Sequence, residues 1–225
     1  QNAKHFKTNI KPSQTTDMQF SFGATLSIGE YVMPDILASI LREHPDMKIH
    51  MTVANTQVLL DKLKQGLLDF VVVEGLFDKT EFDTVLFSLE KFLPICSPSS
   101  SFASRKVDLG ELTESRLILR ESGSGTREIL ENILEKNNYS IHSFKNNIEI
   151  GNMAAIKKLV SENYGITFMF EVAAKKELAD GSLAVIDIPG WHEMREFNLV
   201  YLKNSYFKQR YMKIFDLLKY YNVPK

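Results

Sequence analysis

The chain has 225 residues, enough for one large domain or for two lobes of roughly 100 residues each. Hydrophobic residues make up 44% and charged residues 24%, the balance of a folded globular protein, which excludes a disordered chain. With 27 basic against 28 acidic residues the net charge is −1 and no long basic stripe stands out, so nucleic acid is excluded as a direct ligand of this chain.

Residues 1–17 are polar, and Lys11-Pro12-Ser13-Gln14-Thr15-Thr16 reads as a linker or residual tag, since proline and short hydroxylated residues oppose regular structure. An upstream domain would attach there. Beyond it, hydrophobic periodicity predicts a strand at Gln19–Phe22, a helix at Tyr31–Glu43, a strand at Lys48–Val53, a helix at Thr56–Gln65 and a strand at Asp69–Glu74. This β-α-β-α-β order favours parallel strands. Pro34 suits a first helical turn, Thr56 suits an N-cap, and Gly66 stands where glycine ends the second helix. Ile36, Leu37, Ile40 and Leu41 share one helical face.

The pattern begins again in the second half. A strand is predicted at Arg116–Leu119, a helix at Thr126–Lys136, a strand at Asn147–Ile150 and a helix at Met153–Glu162. A strand at Gly165–Met169, a helix at Val172–Ala179 and a strand at Leu183–Ile188 follow. Lys91–Cys96 bridges the halves, and Phe197–Leu202 leads to a final helix with Phe207, Tyr211, Ile214, Phe215 and Leu218 on one face. Two crossings between two similar halves predict a hinge.

The most informative segment is Arg120-Glu121-Ser122-Gly123-Ser124-Gly125-Thr126-Arg127-Glu128, between a buried strand and a helix. A helix start offers unpaired N–H groups and a positive dipole end, glycines admit a ligand close to the backbone, and hydroxyls add donors. Such a segment cradles an anion, although Ser, Thr and Gly equally make ordinary caps and turns. Three further polar loops, Thr25-Leu26-Ser27-Ile28-Gly29, Asn55-Thr56 and Gly151-Asn152-Met153, stand at the C-terminal ends of predicted strands. Open α/β sheets bind ligands at those ends, so their convergence predicts one shared site.

Other chemistries find no support. The Ser122–Thr126 loop lacks the Lys-Ser/Thr ending of a P-loop, and no G-x-G-x-x-G opens a helix, so no nucleotide cofactor is expected. His5, His44, His50, His142 and His192 form no H-E-x-x-H or close pair, and no metal is expected. Cys96, the one cysteine, excludes an internal disulfide and reads as a packing thiol in a crossing strand; a reducing compartment, the cytoplasm, is expected. Trp191-His192 beside Pro189-Gly190 reads as turn packing. Apolar runs such as Phe70–Val73 are far too short to span a bilayer, and the polar start has no signal-peptide core.

The segment Phe22-Gly23-Ala24-Thr25-Leu26-Ser27-Ile28-Gly29-Glu30-Tyr31-Val32-Met33-Pro34 resembles the opening of the effector-binding domain of LysR-type transcriptional regulators. His44-Pro45, Leu63-Lys64-Gln65-Gly66-Leu67-Leu68-Asp69, Gly165–Met169 and Leu178-Ala179-Asp180-Gly181-Ser182-Leu183 extend the likeness over about residues 18–220. The resemblance implies a type 2 periplasmic-binding-protein-like α/β fold: two Rossmann-like lobes joined by two crossing strands, lobe I over residues 18–94 plus 200–225 and lobe II over 95–199. It implies a small-molecule effector, an anion or polar metabolite, in the interlobe cleft. By position the contacts would be Thr25, Leu26, Ser27 and Ile28 from the first loop, Asn55 and Thr56 from the second, and Ser122, Gly123, Ser124, Gly125 and Thr126 from the other lobe. Asn152 and Phe170 complete the set, Phe170 standing where many relatives carry proline.

The family further implies a homodimer or tetramer, with Asp35–Arg42 and Lys48–Val53 contributing to the contact, and DNA binding only through an N-terminal helix-turn-helix absent from this sequence. Regulation would follow as a population shift, the effector favouring one arrangement of lobes or subunits. Two other functions are compatible with the same fold. One is a solute-binding protein of a transporter; the other is an enzyme in which Glu74 serves as acid or base, although a solvated or capping Glu74 is the plainer reading.

Overall fold

The computed structural model describes residues 19–75, 77–78 and 80–222; the linker read over residues 1–17 lies outside them. In the first lobe β1 (Gln19–Ala24) is flanked by β2 (Lys48–Val53) and β3 (Phe70–Val73), both parallel to it. Between them run α1 (Leu26–Tyr31), α2 (Met33–Glu43) and α3 (Thr56–Lys64). β3 is buried on both faces, as the inner strand of a parallel sheet should be. Phe70 stacks on Phe20 and Phe22 on the side of the last helix, while Val71 and Val73 meet Leu59, Leu60 and Leu63 of α3 on the other.

Two long strands connect the lobes. β4 (Phe82–Cys96) pairs antiparallel with β9 (Met194–Leu202) from Phe82 to Lys91, and then from Phe92 to Ile95 with β7 (Thr167–Phe170) of the second lobe. β9 returns to the first lobe, where Asn198–Val200 pair with β3. The register slips between Leu86 and Ser88, and this bulge turns Phe87 into the core, edge-on to Phe215 of the last helix, α8 (Lys208–Tyr221).

The second lobe repeats the design. β5 (Arg116–Leu119) is parallel to β6 (Asn146–Glu149), and Ile166, just ahead of β7, bridges Leu117 in parallel. Ile118, with Ile95 and Met169, packs on α6 (Met153–Ser161) and on Ala173 and Ala174 of α7 (Glu171–Asp180). On the opposite face Leu117 and Leu119 meet Ile129, Leu130 and Ile133 of α5 (Gly125–Lys136). The α/β architecture of two lobes joined by two crossing strands is therefore the observed one.

Several elements depart from expectation. Thr25–Gly29, read as a loop, opens directly into α1, with Thr25 as its extended N-cap. Thr56 is not the cap of α3: Asn55 is, its side chain accepting from Val58 N at 3.0 Å. Gly66 does end that helix, at φ 71°, and the bonds Gly66 N to Leu63 O (3.0 Å) and Leu67 N to Lys62 O (3.0 Å) close a Schellman motif. The crossing strand begins at Phe82, well before Lys91, and Leu183–Ile188 contributes only the short β8 (Ala184–Val185). A one-turn helix, α4 (Leu109–Leu112), was not foreseen; Asp108 and Glu111 form its capping box. On α2, Met33, Ile36 and Ile40 turn inward while Leu41 is exposed.

Candidate functional site

The loops at the C-terminal ends of β1, β2 and β3 face those after β5 and β6, and the two lobes touch along this line. A Cβ on Gly125 would stand 2.5 Å from the Glu74 carbonyl oxygen and 2.9 Å from Thr56 Oγ1. Glycine is therefore required here by close approach of two backbones, not by its dihedral freedom. Gly123 lies over Asn55 at ordinary contact, Nδ2 being 3.4 Å from an added Cβ, and glycine is favoured there by its φ of 83°.

At the centre of the contact is Glu74, 2% exposed and the first residue after the apolar strand β3. Its carboxylate accepts from Thr25 Oγ1 at the start of α1 and, across the lobes, from Thr126 Oγ1 in the first turn of α5 at 3.2 Å. Thr126 Oγ1 is also 3.4 Å from Ser27 Oγ, and Thr56 Oγ1 donates to the Glu74 carbonyl at 3.3 Å. Thr25, Ser27, Thr56 and Thr126, each named from sequence, thus converge on one buried point. Burial pushes the Glu74 carboxyl above its ordinary value, while the hydrogen bonds from Thr25 and Thr126 and the positive charge of Arg120 pull against it.

Arg120 stands just past β5 and is 4% exposed. Its Nε and Nη2 clasp Glu121 at 2.8 and 2.9 Å, and its buried Nη1 has no hydrogen-bond partner among the described residues. Beside the interlobe contact is a cavity of about 370 Å³ lined in part by Thr56, Gln57, Ser122, Gly123, Ser124 and Arg127. Arg127 is anchored by Glu131 at 2.8 Å and Glu149 at 2.5 Å.

The remaining sequence-named residues divide. Ser124 is the buried N-cap position of α5, with no side-chain cap bond. Leu26 opens α1, and Ile28 is fully buried in the first-lobe core. Asn152 is engaged as the N-cap of α6, accepting from Ala155 N at 2.9 Å; its neighbour Gly151 approaches Glu121. Phe170 is not brought to the cleft surface: its ring is fully buried, edge-on to Phe92 (5.3 Å) and Phe197 (4.7 Å), where it braces both crossing strands. Arg120 was missed as a site residue, and Glu74 was named only as the acid or base of the alternative enzyme reading, a solvated or capping role being preferred. The signal for Glu74 was an acid closing an unbroken apolar strand, but that position reads as solvated, whereas the structure buries it.

Outside the cleft, the Cys96 thiol is fully buried and pushed up to about 11 by that burial, as a packing thiol should be. Trp191 donates from Nε1 to the Phe92 carbonyl at 2.7 Å and leans on Phe168, which is the expected turn packing. Among the described residues no group of three or more His, Cys, Asp or Glu is arranged to hold a metal ion, and no helix is long and apolar enough to cross a membrane.

Comparison with known proteins agrees with this architecture. The solved regulatory domain of CcmR from Synechocystis PCC6803 in complex with 2-PG superposes with a TM-score of 0.77 at 18% identity, over 88% of this chain and 95% of that one. The effector-binding domain of QuiR in complex with shikimate gives 0.76 at 18% identity, over 91% and 97%. In sequence, the HTH-type transcriptional regulator YeiE of Escherichia coli K12 is 27% identical over 202 residues, covering 90% of this chain and 68% of YeiE. The activator CmpR of Synechocystis is 27% identical over 183 residues, 81% of this chain but 59% of CmpR, so the chain spans about three fifths to two thirds of such relatives. The model of the LysR substrate binding domain matches residues 13–220, and the chain belongs to that family.

Proposed function

We propose that this chain is the effector-sensing and dimerisation domain of a LysR-type transcriptional regulator, and that it binds a small polar or anionic metabolite between its lobes. The observation that carries this reading is the convergence of Thr25, Ser27 and Thr56 from one lobe with Thr126 from the other, beside a cavity of about 370 Å³. Ser122, Gly123, Ser124 and Gly125 line or approach the same space, and Asn55 and Asn152 hold the helices that frame it. The chain passes from lobe I to lobe II in β4 near Lys91 and Phe92 and returns in β9 ahead of Asn198, and the hinge is taken to lie in these two strands.

A ligand seated there touches both lobes only when they are closed, so it favours the closed arrangement by its difference in affinity for the two states. In the full-length regulator, that shift would alter how paired helix-turn-helix parts sit on DNA; the domain itself meets no operator and catalyses nothing. Such a protein works in the cytoplasm. Thermal denaturation of the chain against carboxylates, inorganic oxyanions and amino acids tests the proposal. A ligand at about a hundred times its Kd adds about 2.7 kcal/mol of stability. A shift lost in Ser27→Ala and Thr56→Ala supports the reading, and a shift that both variants keep removes the cleft as the site.

A further inference from the structure

The buried point where an effector's polar group would sit is filled by the protein itself. The Glu74 carboxylate accepts from the Thr25 and Thr126 hydroxyls, one from each lobe, with Ser27 Oγ 3.4 Å from Thr126 Oγ1. It lies at the N-terminal turn of α5, a 12-residue helix whose dipole favours negative charge there, and within the field of the buried Arg120 guanidinium. The Arg120 Nη1 group is itself buried without a hydrogen-bond partner among the described residues.

We propose that Glu74 is a tethered carboxylate ligand: it occupies the anion position of the cleft, latches the lobes closed without any free ligand, and admits only effectors whose own anionic group can displace it. This inference rests on reading the cleft as the effector site. A side chain on the adjoining strand acts at an effective concentration in the millimolar range or above, so a bare small anion at comparable concentration does not compete. A displacing effector must add contacts, and the neighbouring cavity with Thr56, Ser122 and Ser124 supplies them. Asp78, Glu81, Glu128 and Glu131 also line that cavity, so the ligand class is narrowed to a small organic acid whose body is polar and carries no second negative charge. Burial raises the Glu74 carboxyl above its ordinary value, so the charge is held at a cost and the latch is one that can be released.

The test is chemical rescue. Glu74→Ala deletes the CγH2 and carboxylate, the heavy atoms of acetate, and leaves the Thr25, Ser27 and Thr126 hydroxyls in place. Expected are a lowered Tm for Glu74→Ala in chloride buffer and a saturable rise in acetate at equal ionic strength, with no such rise in the unaltered chain. If Glu74→Ala does not fold in chloride, refolding it into acetate reads the same quantity: recovery in acetate alone supports the proposal. An acetate response no larger than that of the unaltered chain, or equal refolding failure in both salts, overturns it. Failure of the effector reading is seen separately, in the ligand screen of the unaltered chain, because acetate rescue needs no effector.

Discussion

Replacing Gly125 by alanine separates what holds each lobe from what holds the lobes together. Locally the change is favourable: Gly125 opens α5, and alanine gains up to about 1 kcal/mol over glycine in a helix. Across the cleft it is not. The new methyl would stand 2.5 Å from the Glu74 carbonyl oxygen, where ordinary contact begins at 3.4 Å, so the lobes must part by about 0.9 Å at this line. That displacement is enough to break the 3.2 Å bond from Thr126 across the lobes to Glu74. Overpacking of this kind costs about 1–3 kcal/mol, leaving a net loss of about 0–2 kcal/mol after the full helical gain. At this chain length that lowers Tm by up to about 8 °C. Differential scanning calorimetry, with small-angle scattering to read the separation of the lobes, measures both effects. A Tm equal to or above that of the unaltered chain, with unchanged scattering, would refute the closed contact.

Three further outcomes follow from the same contacts. Ser27→Ala and Thr56→Ala should each weaken effector binding by about 1 kcal/mol, roughly fivefold, with little change in Tm; titration calorimetry with any ligand found in the screen reads this. Burial raises the Glu74 carboxyl above its ordinary value of 4.5, so the part of its stabilisation that depends on the bound proton is complete below that pH and is lost as pH rises through the folded value, while the hydrogen bonds from Thr25 and Thr126 still hold the carboxylate. The Tm of Glu74→Gln should accordingly gain on that of the unaltered chain as pH rises from 4.5 towards neutrality, and a pH-independent difference would contradict the burial argument. Phe170→Ala, which empties the space between Phe92 and Phe197, should cost about 3–5 kcal/mol in urea unfolding, whereas a residue that merely lined a ligand would cost far less.

The parts of this molecule legible in its sequence are those decided by neighbours in the chain. β2 and β5 fall on their predicted residues because a short apolar run between turns determines them locally, and the end of α3 is readable because Gly66 alone tolerates the left-handed turn there. The polar loops at strand ends were also legible, through spacing and strand order. What was not legible depends on distant partners. Glu74 looks solvated until Thr126, 52 residues away, is brought against it. The first half of β4 was missed because its buried residues, Phe82 and Phe87, are separated by part-buried and exposed ones and do not alternate regularly, on a strand whose partner, β9, arrives more than a hundred residues later. Phe170 was read as an effector contact from the resemblance, and only packing against Phe92 and Phe197 shows that it braces the hinge.

The central claim is that one ligand is gripped from both lobes at once. Hydrogen exchange followed by mass spectrometry, on the chain with and without the strongest hit from the ligand screen, tests it most directly. The account predicts simultaneous protection of the amides in 25–29, 55–58 and 122–127, because each set lies at the interlobe contact. Protection confined to one lobe, or centred on the separate cavity beside Trp191 and Lys106, would contradict it.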